Sequence, residues 1–147
     1  MRHDDWETAV AVLRLATQLV DGVQRGVERR GFDDVRPAHG FAFVRISAGD
    51  ATTADVAAHL GITKQAAAQL IEHLVSRDYI ERRPDPRDAR ARLLILTDRG
   101  RACTAAAEAA SAETVSLWKD RLSAAAFSQL QTALAALADP GRIRPTW

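Results

Sequence analysis

Apolar positions recur in steps of three and four over the first thirty residues. Trp6, Ala9, Leu13, Ala16, Val20, Val23 and Val27 fall on one stripe of a helix predicted from Asp4 to about Arg30, with Gly31 as its stop. At ~1.5 Å per residue, about 26 residues make a rod ~39 Å long. A small module cannot cover so long a stripe, so it calls for a partner such as a second copy of the chain.

Shorter elements follow. Pro37 opens a second helix with Phe41, Phe43 and Val44 as its apolar contacts, broken at Gly49-Asp50. Thr53 is the expected cap of a third helix ending at Leu60, and Gly61-Ile62 makes a turn. Thr63 caps a fourth helix, whose Ala67, Leu70, Ile71, Leu74 and Val75 stand at i, i+3, i+4, i+7 and i+8. Its opposite face carries Lys64, Gln65, Ala68, Gln69 and His73. Two short runs, Tyr79 to Arg83 and Arg92 to Leu96, flank the turn-forming segment Pro84 to Arg90 and predict a β-hairpin. Thr97-Asp98 then begins a long alanine-rich helix to about Asp120. Ser123 caps a last helix with Phe127, Leu130, Leu134 and Leu137 on one face, ended by Pro140-Gly141.

A chain of 147 residues has room for one domain, or for a small module with a dimerisation scaffold. With 47% apolar and 27% charged residues, it has the profile of a globular protein. No apolar run is long enough for a membrane span, and MRHDDWE is not a secretory leader, so the expected location is cytoplasmic. Cys103 has no partner for an internal disulfide or a cysteine metal cage, and in an alanine-rich helix it reads as a small buried hydrophobe rather than a redox sensor. The scattered His3, His39, His59 and His73 offer no metal-ligand spacing. No nucleophile with its base and no phosphate-cradling glycine loop is present, so neither an enzyme nor a cofactor is expected. Net charge is only +1, yet the segment from Gly61 to Arg101 carries nine basic residues against six acidic ones. That local excess is a modest nucleic-acid footprint.

Two short helices joined by Gly61-Ile62-Thr63 and followed at once by a charged hairpin have the order of a winged helix-turn-helix. A B-DNA major groove admits one helix, and the first residues of the second helix reach base edges. Small Ala66, Ala67 and Ala68 permit close approach, Lys64 suits guanine, and Gln65 and Gln69 suit adenine. From the hairpin, Arg87 and Arg90 can enter a narrow minor groove, with an Asp88–Arg90 ion pair stiffening the loop. Arg82 and Arg83 fit phosphate positioning better than base reading. His73 is either a phosphate contact or a plainly exposed ring.

The stretch TTADVAAHLGITKQAAAQLIEHLVSRDYIERRPDPRDARARLLILTDRGR resembles the DNA-binding core of the MarR family of bacterial regulators. Its most specific parts are Asp85-Pro86, Asp88 and Arg90, which resemble the family's D-x-R wing signature, and Leu96-Thr97-Asp98-Arg99-Gly100, which resembles the start of its fifth helix. The resemblance implies a mainly α fold with a small β-hairpin wing, one MarR-like domain over 1–147. Within it, 36–97 would form the DNA-binding lobe, and 1–35 with 98–147 the dimerisation helices. It implies a homodimer on a palindromic double-stranded operator, repression of nearby genes, and release by a small phenolic or lipophilic effector. Trp6, His39, Phe43 and Trp118 are candidates to line an effector pocket, against the plainer reading of core aromatics. The recognition segment Thr63 to Gln69 is poorer in hydroxyls and arginine than in many relatives, so the operator sequence does not transfer. The alternative is a protein-interaction module that keeps the winged-helix shape without binding DNA.

Overall fold

A computed structural model describes residues 2–139, with side chains from Asp4 onward. Pro140-Gly141, expected to end the last helix, and the ring of His3 lie outside the described residues. Among the described residues are six helices and one two-stranded antiparallel hairpin: α1 (Arg2–Arg29), α2 (Pro37–Ser47), α3 (Thr53–Leu60), α4 (Lys64–Ser76), β1 (Ile80–Asp85), β2 (Asp88–Leu96), α5 (Asp98–Arg121) and α6 (Ala124–Leu137). They form two compact units. One holds the chain up to Asp33 together with Ala106–Asp139, the other holds Asp34–Ala105, and α5 contributes to both.

In the first unit, α1 and α5 approach closely because small residues face each other. A Cβ on Gly26 would lie 2.3 Å from Ala110 Cβ, a separation real atoms do not tolerate. Arg29 and Arg30 both pair with Glu113 across the same contact. The predicted stripe of α1 is covered only toward its end: Val27 is buried, Val20 and Val23 are half-buried, and Trp6, Ala9, Leu13 and Ala16 are exposed. Ser123 caps α6 as expected, its hydroxyl accepting from Ala126 N–H at 3.1 Å. No residue of α6 is buried within the chain.

The second unit carries the larger core, with Tyr79, Ile71, Leu74, Ile80, Leu94 and Val56 fully buried. Helix α2 packs on α3 and β2, and α4 on α3 and β1. The face of α2 differs from expectation. Ala42, Phe43 and Ile46 are its buried residues, following i, i+1, i+4 spacing, while Val44 is exposed and Phe41 half-buried. The cap of α3 is Thr52, not Thr53. Asp55 stands three residues on, and its carboxylate accepts from Thr52 N–H at 2.8 Å while Thr52 Oγ1 accepts from Asp55 N–H at 3.3 Å, a reciprocal box that Thr53 has no partner to build. Thr63 does cap α4, accepting from Ala66 N–H at 3.1 Å.

The hairpin is longer and tighter than predicted. Its strands run through Pro84 and Asp85 on one side and from Asp88 on the other, leaving Pro86-Arg87 as the turn. Pro84 is tolerated because a two-stranded ribbon has a free edge that needs no N–H from it. Pairing is regular from Ile80↔Leu96 to Pro84↔Arg92 and then jumps to Asp85↔Asp88, so Ala89, Arg90 and Ala91 bulge from the ladder. Two aspartates support the tip: Asp85 Oδ1 accepts from Arg87 N–H and Asp88 Oδ1 from Arg90 N–H, each at 2.9 Å. Ala51 adds an isolated bridge, its carbonyl accepting from Leu94 N–H at 2.8 Å.

The start of α5 is fixed against the start of the hairpin. Thr97 N–H donates to Tyr79 O at 3.1 Å, and Gly100 comes so near that a Cβ there would lie 2.1 Å from the same carbonyl. Because that obstacle is backbone, Gly100→Ala should force the two elements apart and destabilise the protein on the order of 3 kcal/mol. Urea denaturation measures it, and an unchanged midpoint would remove this steric account.

Candidate nucleic-acid interface

Burial of Ala67, Ile71 and Leu74 fixes the roll of α4 and turns its opposite side to solvent. Lys64, Gln65, Ala66, Ala68 and Gln69 are accordingly all exposed, and the first turn contains no acidic residue. The positive end of the helix dipole and Lys64 are therefore unopposed within that turn. The Thr63 hydroxyl is already occupied as the cap.

At the wing, Arg87 sits between two carboxylates, with Nη2 3.4 Å from Asp50 Oδ2 and Nε 3.3 Å from Asp85 Oδ1. Hydrogen bonds from the Arg87 backbone and side chain hold the Asp85 carboxyl below the usual carboxylate range. The expected Asp88–Arg90 ion pair gives way to a backbone contact: the Asp88 carboxylate takes the Arg90 N–H, leaving the Arg90 side chain exposed on the bulge. Arg82 donates to Glu72 of α4 at 2.8 Å, tying strand to helix, and Arg83 pairs with its neighbour Glu81. Exposed pairs of this kind add little stability, and their effect is to orient side chains.

His73 is not a plainly exposed ring. It is half-buried, stacked on His39 at 4.9 Å between centroids, with Nε2 3.3 Å from Asp34 O. Asp34, Arg77, Tyr79 and Arg99 form a cluster around it that sequence reasoning missed. The buried Tyr79 hydroxyl donates to Asp34 and accepts from Arg99 NH2 at 2.9 Å. Arg77 and Arg99 lie 3.6 and 3.7 Å from the other oxygen of Asp34, and the Arg99 guanidinium also covers the Tyr79 ring at 4.5 Å. The Tyr79 bond, aided by both arginines, lowers the Asp34 pKa, whereas burial and the Asp34 charge raise that of Tyr79. Only the Thr97 to Gly100 motif hinted at this cluster, and it does not name Asp34.

The four pocket candidates are divided. Phe43 is buried against Tyr79 at 5.8 Å and His39 is in the stack, whereas Trp6 and Trp118 stand on α1 and α5 in the other unit, exposed and half-buried. Burial pushes the Cys103 thiol up to about 11, which leaves it protonated at neutral pH. Among the described residues, no cluster of three His, Cys, Asp or Glu side chains could hold a metal ion, and no helix is long and apolar enough to cross a membrane.

Residues 36–91, which span α2 through the wing tip, match the sequence model of the MarR family. In this segment the winged helix-turn-helix is similar to that of the MarR family. No curated protein sequence matches the chain. Among solved structures, a MarR family transcription regulator superposes with a TM-score of 0.72 at 25% identity, covering 92% of this chain and 89% of its own. A point mutant of MepR from S. aureus, bound to an oligodeoxyribonucleotide, gives 0.66 at 20% identity over 88% and 94%. CouR from Rhodococcus jostii RHA1, bound to p-coumaroyl-CoA, gives 0.67 at 20% identity over 92% and 94%. The fold shared with these structures thus extends over most of the chain, well beyond the matched segment.

The Asp34 cluster underlies this lobe and carries its own pH signature. A carboxyl whose pKa is lowered on folding stabilises fully above its unfolded value, 3.8 here, and loses that contribution as pH falls through the lowered value. Asp34→Asn should cost on the order of 2 kcal/mol at pH 7, because the buried Tyr79 hydroxyl loses a charged acceptor, and should shrink the loss of stability between pH 4 and pH 2. Urea midpoints at pH 7 and pH 3 test it. Identical wild-type and variant midpoints at pH 7 would deny the carboxylate any stabilising part.

Proposed function

We propose that this protein is a dimeric, sequence-specific DNA-binding transcription regulator that represses neighbouring genes and is released by a small phenolic or lipophilic ligand. The observation that carries the reading is the start of α4: four exposed short or amide-bearing residues and a lysine-led, acid-free first turn, on a helix whose buried face is locked. In this reading Lys64, Gln65 and Gln69 read base edges in the major groove, and Ala66 and Ala68 allow the approach. Arg87 and Arg90 reach the minor groove, and Arg82 and Arg83 hold phosphates. The lobe is 36–97, and the helices of 1–35 and 98–147 join two copies.

Several facts support the two-fold assembly. Trp6, Leu13, Leu117, Leu134 and Leu137 are large apolar side chains left in solvent on α1, α5 and α6. Two copies would present half-sites about 34 Å apart. The oligonucleotide bound to MepR supports duplex DNA as the target, and the p-coumaroyl-CoA bound to CouR supports an aromatic effector. By linkage, an effector that weakens DNA binding is itself bound more weakly by the DNA complex, to the same factor.

Binding to duplexes selected from a random pool tests the proposal. With about four phosphates neutralised per subunit, the slope of log K against log salt should be near −7. Arg90→Ala should weaken selected and scrambled duplexes alike, about tenfold. Gln65→Ala should instead flatten preference at one position per half-site by about 1–2 kcal/mol. Equal losses on every sequence would refute base reading by Gln65, and no binding at low ionic strength would refute the function.

A further inference from the structure

The two stacked imidazoles between α2 and α4 have no part in base reading as set out above. His39 is the third residue of α2 and His73 lies in the third turn of α4; their rings are 13° from parallel. Each is also bonded to backbone. Arg36 N–H donates to His39 Nδ1 at 2.9 Å, which requires a lone pair on that nitrogen, and His73 Nε2 bonds the carbonyl of Asp34 at 3.3 Å. A neutral His39 with Nδ1 accepting keeps its hydrogen on Nε2, so the proton it gains in acid must go to Nδ1. That hydrogen displaces the Arg36 N–H and opens the cap of α2, while placing a cation against the face of a second imidazole.

The groups facing the pair reinforce this. Arg36 at the start of α2 and His73 on α4 both oppose a charge on His39, and Asp34 alone favours it. The Asp34 carboxylate is already shared by Tyr79, Arg77 and Arg99. Burial first, then these neighbours, lower the His39 pKa from 6.5 to about 4.

We propose that the His39–His73 stack is a proton-operated latch that holds α4 against α2 while the His39 ring is neutral and frees α4 on acidification. The inference rests on the reading of α4 as the helix that enters DNA. With a ring pKa of about 4 in the stack and 6.5 when released, lowering the pH from 7.5 to 5.5 tilts the balance about tenfold toward release. Asp34, Asp55 and Asp85 have lowered pKa values and stay ionised throughout that window.

Two measurements on the full-length protein test the latch. Amide and imidazole NMR signals followed from pH 7.5 to 4.5 should show the His39 ring and the amides of α4 changing together. Static α4 amides while the ring titrates would overturn the latch, whether or not the protein binds DNA. Affinity for a duplex selected at pH 7.5 should fall up to about tenfold by pH 5.5 in the wild type. It should fall much less in His39→Gln, which keeps an acceptor for Arg36 N–H, and in His39→Phe, which keeps a flat ring. A wild-type affinity independent of pH, or the same loss in both variants, would overturn the proposal. Failure to bind any duplex at pH 7.5 would instead strike the function proposed above and leave the NMR result to judge the latch.

Discussion

Tyr79 stands where α4 ends, the hairpin begins and α5 starts, and the winged helix-turn-helix lobe is organised around its burial. Its N–H closes the C-terminus of α4 on Leu74 O at 2.9 Å, helped by the left-handed turn at Asp78. Its carbonyl receives the N–H of Thr97 and is crowded by Gly100, while its hydroxyl lies between Asp34 and Arg99. A buried phenol must satisfy its hydroxyl, and here both of its hydrogen-bonding roles are filled by charged groups, which makes the site costly to break. One residue therefore sets the exit of α4, the base of the wing and the first turn of α5. The exposed residues of α4 and the wing inherit their mutual placement from it.

Charge in this lobe is spent on placement more than on stability. Arg87, Arg82 and Arg83 each have a carboxylate partner at or near the surface, where ion pairs contribute little. What these pairs do is limit rotamers. Asp85 and Asp88 bond the backbone of the two residues whose side chains are the wing's most prominent cations, so these bonds and the Arg87–Asp85 pair shape the tip without an Asp88–Arg90 ion pair. Holding Arg87 between Asp50 and Asp85 also means that a phosphate must compete with two carboxylates for it, which favours a partner of high charge density over isolated anions.

The fold was legible where it depends on period and capping. Stripes at three- and four-residue steps gave the helices, Thr63 and Ser123 announced two helix starts, and the Pro/Asp-rich segment announced the hairpin. Errors arose where partners far away in sequence decide. Thr53 and Thr52 are equivalent as isolated caps, and only the reciprocal bond with Asp55 separates them. The strands extend through Pro84 because cross-strand pairing overrides a turn-forming composition. Asp88 prefers a backbone N–H two residues away to a guanidinium, a local choice that charge pairing alone misjudges. The Asp34 cluster joins residues up to 65 positions apart (Asp34 to Arg99), and nothing periodic marks it. Of the candidate site, the face of α4 was legible because its opposite face is apolar, whereas the engagement of His73 with His39 was not.

Exposure along α1 and α6 limits what a single copy can be. Trp6 is 67% exposed and Leu13 63%, while Val27 is 4% exposed on the same stripe, so intrachain packing covers only one end of the helix. Val12 and Leu15 widen the uncovered face, and Leu137 on α6 is 81% exposed. Burying a large apolar side chain is worth about 1.5–3 kcal/mol, so the four side chains of α1 offer on the order of 6 kcal/mol per copy when half of each remains to be covered. Bringing two chains together costs on the order of 4–15 kcal/mol before any surplus appears. Two copies together double that gain to about 12 kcal/mol at most, which leaves little surplus over the cost if α1 is the whole contact. Leu117, Leu134 and Leu137 supply that surplus if α5 and α6 meet the partner together with α1.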